Sequence, residues 1–82
     1  MSGLTYEQIT KRAEREIRDA MQRAAVCELG TYSLGLALGE ARGAYALWET
    51  LVATLGSSAP PEAGADRARF EALAYAKRSA TA

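Results

Sequence analysis

Few residues in this chain could do chemistry. Hydrolysis or group transfer needs a nucleophile, a base or a metal held among partners. The sequence has no histidine and a single cysteine, Cys27. Glu28 stands beside that thiol, and no imidazole is available to form a thiolate pair with it. No intrachain disulfide can form, and a zinc site of the usual Cys/His kind cannot be assembled. The carboxylates are scattered among basic residues. Neither G-x-x-x-x-G-K-S/T nor G-x-G-x-x-G occurs, so no phosphate-cradling loop is expected. The chain reads as non-catalytic, with no cofactor and no metal, and Cys27 reads as core packing.

Composition points the same way. The 82 residues suffice for one small domain spanning 1–82. Apolar residues make up 49% of the chain, but many are alanine and only 7% are aromatic. Small side chains bury little area, and self-association is one way to enlarge a thin core. Ten basic residues balance ten acidic ones. That balance disfavours non-specific nucleic-acid binding and leaves little repulsion between copies. The opening residues lack the basic and apolar regions of a signal peptide. The longest charge-free apolar run, 29–39, is too short to cross a bilayer. A soluble, cytoplasmic protein is expected.

Any surface must be presented by helices. Thr5 and Gln8 form a T-x-x-Q capping box, with Leu4 and Ile9 placed as a hydrophobic staple. An apolar face follows at helical spacing through Tyr6, Ile9, Ala13, Ile17, Ala20, Met21, Ala24 and Cys27. Helix 1 is expected over about 5–29, stopped by Gly30. Glu7–Lys11, Glu14–Arg18 and Asp19–Arg23 are acid-before-base pairs at i, i+4. Lys11, Arg15 and Arg18 line up opposite the apolar face, either as a solvated stripe or as a strip for an acidic partner.

Helix 2 is expected over about 32–55, capped by Thr31 or Ser33 and closed by Gly56. Leu34, Leu38, Ala41, Tyr45, Trp48, Val52 and Leu55 form a seam at alternating spacings of four and three. Leu36, Ala44, Leu47 and Leu51 form a second apolar strip, on which Glu40 also lies. Gly35, Gly39 and Gly43 recur every fourth residue and stack on one face, about 140° from the seam at 100° per residue. Together they cost roughly 2–3 kcal/mol in helix propensity relative to alanine. Close backbone approach could recover that in three ways: against the alanines of helix 1, across a homodimer, or in a groove for a partner. Glu40 is expected at a wet edge or paired with an arginine from another helix or subunit.

Ser57-Ser58-Ala59-Pro60-Pro61 reads as a linker over 56–61. A shorter helix 3 is expected over about 62–78, starting between Pro61 and Asp66. Its narrow face carries Phe70, Leu73, Ala74 and Lys77, and Lys77 and Arg78 suit its C-terminal dipole. Residues 79–82 should fray.

The expected architecture is all-α: a three-helix domain on a long antiparallel αα-hairpin, dimerising into a helical bundle. The expected function is a protein–protein interaction module, a homodimeric adaptor or inhibitor that occupies a surface of a larger protein. The candidate interaction residues are Gly35, Gly39, Gly43, Tyr45, Trp48 and Glu40. The competing readings are nucleic-acid binding through the arginines of helix 1 and peripheral membrane association through helix 2.

Overall fold

Thr5 starts the first helix as its residue type predicts. Its hydroxyl accepts the Gln8 backbone N–H at 3.1 Å, and the Gln8 side chain accepts the Thr5 N–H at 3.0 Å. This computed structural model describes residues 4–76. All regular structure among them is helical: α1 (Tyr6–Ala25), α2 (Tyr32–Leu55), a 3-10 turn (Gly56–Ser58) and α3 (Ala63–Ala74).

Helix α1 ends earlier than the expected residue 29. Val26 and Cys27 bond back three residues, to the carbonyls of Arg23 and Ala24, a tightening common at helix ends. Val26 is exposed and would bury nothing by continuing the helix. Cys27 therefore lies in the turn, partly buried, with its Sγ donating to the Arg23 carbonyl at 3.2 Å. Thr31 closes the turn from both sides. Its hydroxyl donates to the Glu28 carbonyl at 2.7 Å and accepts the Leu34 N–H at 3.2 Å, capping α2. Gly30 adopts φ 77° within this turn, a conformation that costs other residues roughly 1–2 kcal/mol.

α2 buries the predicted seam. Ala41, Tyr45, Trp48 and Val52 are buried, Leu34 and Leu38 partly so, and Leu55 sits at the rim. Residues 34–38 are helical, and Ala37 joins the buried side. α1 and α2 run antiparallel: Arg23 pairs with Glu40 near the turn, and Thr10 meets Trp48 further along.

α3 lies along one face of this hairpin, in the same sense as α1. Asp66 meets Tyr6, Arg69 meets Glu14, and Tyr75 packs edge-on to Tyr45 with the Arg42 guanidinium over its ring. Phe70 is fully buried, its ring 4.9 Å from that of Trp48. α3 spans less than expected. Glu62 precedes it without a side-chain cap bond, and Asp66 turns to Tyr6 instead of capping. Lys77, Arg78 and the expected fraying of 79–82 lie outside the described residues.

Candidate protein-interaction surface

The hairpin has two faces, and α3 covers one of them. An ionic cluster fixes α3 there. The Tyr6 hydroxyl donates to Asp66 at 2.6 Å, and Arg69 bonds both Asp66 and Glu14. The Tyr6 hydrogen bond, then that of Arg69, holds the Asp66 carboxyl below its ordinary range. Arg69 and Arg18 do the same for Glu14. Burial raises the Tyr6 phenol, reinforced by the bond to Asp66.

The other face is open. Leu36, Leu47 and Leu51 of α2 stand on it 52%, 61% and 40% exposed. Beside them a groove of about 220 Å³ runs between α1 and α2, floored by Trp48 and walled by Ile9, Ala13, Ala44, Leu47 and Leu51. Arg12 and Glu16 line its α1 edge and pair with each other at 2.9 Å. Between Glu40 and its C-terminus, the strip of α2 turned away from α3 carries Gly43, Ala46, Leu47, Thr50, Leu51 and Thr54, with no charge; the exposed Arg42 lies on the other side, over Tyr75. The two threonines add less polarity than their type suggests. Thr50 donates to the Ala46 carbonyl and Thr54 to the Thr50 carbonyl, each at 3.0 Å, the usual back-bonding of a helical threonine.

Gly35, Gly39 and Gly43 do not pack against α1. All three are exposed, and a Cβ at any of them would meet nothing within 4 Å. Burial decides this. Removing apolar surface from water yields about 25 cal/mol per Å², and the seam of two aromatics and a valine offers far more area than glycine. The seam turns inward and carries the glycine strip outward with it. Ala13 and Ala20 of α1 share the core with Ala41 and the aromatics.

The other expected site residues are placed as follows. Tyr45 and Trp48 belong to the core, 6% and 1% exposed, and only Trp48 borders the groove. Glu40 is exposed and paired with Arg23 at 3.0 Å. That pair replaces the expected Asp19–Arg23 contact, and Asp19 faces Arg15 at 4.0 Å instead. In the basic strip, Arg18 binds Glu14 at 2.8 Å and Arg15 approaches Asp19, so acids dilute its field. Lys11 is exposed beside them. Of the residues on this face, Arg12 carries a sequence expectation only among the basic residues of helix 1 (Lys11, Arg12, Arg15, Arg18 and Arg23) as a nucleic-acid contact, and Glu16, Thr50 and Thr54 carry none. Their i, i+4 spacing was the available signal, but spacing alone does not say which side of a helix stays uncovered.

Among the described residues no group of three or more His, Cys, Asp or Glu side chains could hold a metal ion. No helix among them is long and apolar enough to cross a membrane. Compared with known protein families, with curated proteins and with solved structures, the chain matches none.

Proposed function

We propose that this chain is a non-catalytic protein-interaction module, a homodimeric adaptor or inhibitor that works by occupying a surface of a larger protein. The observation that carries this reading is the open face of the hairpin. Three half-exposed leucines, a strip of small residues and an apolar groove lie together there. Contiguous exposed apolar patches of this kind mark interaction sites in water-soluble proteins. Charge supports the same reading. The net charge is zero, and the α1 arginines at 12, 15 and 18 each face an acid, which weakens the case for nucleic acid.

The test is capture from the native host. The full chain and a Leu47→Glu variant are immobilised in parallel, and retained proteins are identified by mass spectrometry. A protein held by the native chain and lost by the variant supports the reading. Equal retention by both, or tight salt-sensitive binding of nucleic acid in a mobility-shift assay, overturns it.

A further inference from the structure

We infer that the open face binds a second copy of this chain about a twofold axis that runs across the helices, level along their length with Glu14 of α1 and Tyr45 of α2. This rests on the interaction reading above and specifies one partner and its register. The molecule measures 45 × 25 × 15 Å. Its broad face is large enough to supply the roughly 800 Å² per partner of a standard interface.

The face is divided along its length. The α1 side presents Arg12 and Glu16, and the α2 side presents Leu36, Gly43, Leu47 and Leu51. Two twofold arrangements can set this face against its own copy. An axis parallel to the helices lays α1 of one copy on α2 of the other and presses the Arg12–Glu16 pair onto leucines, which desolvates it with no opposite charge from the other copy to offset the cost. An axis across the helices lays α1 on α1 and α2 on α2, both antiparallel. Only this arrangement sets Arg12 and Glu16 against opposite charges and the leucines against an apolar strip, with Glu40 held by Arg23 of its own chain.

The same axis fixes the register. Turned about a point midway between them, Arg12 meets the partner's Glu16, and Glu16 meets the partner's Arg12. Four exposed charges then alternate in sign. The antiparallel hairpin determines what lies level with this point on α2. Thr10 is level with Trp48, so one turn along α1 brings Glu14 level with Ala44 and Tyr45. Within that turn, an axis level with Tyr45 sets Leu47 opposite the partner's Gly43. A Cβ at Gly43 would meet nothing within 4 Å, so the leucine has room to enter. The groove lies beside the axis and is shielded from water by the partner. α3, on the far face, is untouched.

Sedimentation equilibrium on the full chain with charge-reversed variants tests this. Arg12→Glu and Glu16→Arg, taken singly, each set like charges together at both contacts. Each is expected to weaken self-association roughly tenfold or more. An equimolar mixture of the two is expected to restore it, because the two chains then present opposite charges at both contacts. The chain carrying both substitutions keeps its intrahelical pair and controls for folding, checked by circular dichroism. It should self-associate like the native chain but not mix with it. A dimer indifferent to the single substitutions, or a mixture no tighter than either variant alone, overturns this register and leaves the interaction reading standing. A chain that stays monomeric at tens of micromolar overturns the inference altogether, and the capture experiment then judges the interaction reading by itself.

Discussion

The indole Nε1–H of Trp48 donates to the Thr10 hydroxyl at 2.9 Å inside the core. It joins α1 to α2 across 38 residues of sequence. Trp48 is 1% exposed and Thr10 7%, so water cannot substitute freely for either partner. Among the described residues no buried side-chain nitrogen or oxygen lacks a hydrogen bond, and this pair accounts for the most buried donor. The Thr10 hydroxyl thus gives a polar residue a place on an otherwise apolar face.

Thr10→Val should destabilise the fold by about 1–3 kcal/mol, because it keeps the shape and leaves the indole N–H buried without an acceptor. Thr10→Ser, which keeps the acceptor, should cost less. Urea denaturation followed by tryptophan fluorescence ranks the two. A neutral Thr10→Val would mean that the indole finds another acceptor.

The glycines should divide by sign. Gly39 is helical, with open space where a Cβ would go, so Gly39→Ala should stabilise the monomer by up to about 1 kcal/mol. Gly39→Leu should leave it folded. Gly56, at φ 56° at the end of α2, should respond the other way. Gly56→Ala should cost roughly 1–2 kcal/mol. Thermal melts at low protein concentration compare them, and destabilisation by Gly39→Ala would place another backbone against the strip.

Acid should loosen α3 first. The carboxyls of Asp66 and Glu14 are both depressed in the folded chain by their hydrogen-bond donors. Groups of this kind stabilise the fold fully above their ordinary carboxylate range. Their contribution is lost as pH falls through the depressed folded values. Stability should therefore fall on acidification from neutral pH, and the native chain should lose more than Asp66→Asn does. Melting temperatures across that range decide it, and parallel curves for the two proteins would remove the cluster as the cause.

Phe70 anchors α3 to the hairpin. It is fully buried, edge-on to Trp48, and Phe70→Ala should cost about 3–5 kcal/mol. Hydrogen exchange should then show α3 amides losing protection before those of α1 and α2. Uniform loss along the chain would mean that the three helices unfold only together.

Much of the helical framework follows from sequence alone, because the signals involved are local. A capping box needs only Thr5 and Gln8, three residues apart. The boundaries of α2 follow from Thr31 and Gly56, and its buried seam from spacing. The interior ends of α1 and α3 were less legible. Whether Val26 extends a helix depends on what it could bury there, and Asp66 is drawn from capping by a tyrosine 60 residues away. The candidate surface shows the same division. Periodicity placed glycines and leucines on different strips of α2 from the seam, but three strips competed for one neighbouring helix. Only the packed structure decided that the aromatic seam turns inward, that α3 covers one face of the hairpin, and that the glycines and leucines remain outside. That choice depends on the total area each arrangement buries, which is a property of all three helices together and of no single stretch of chain.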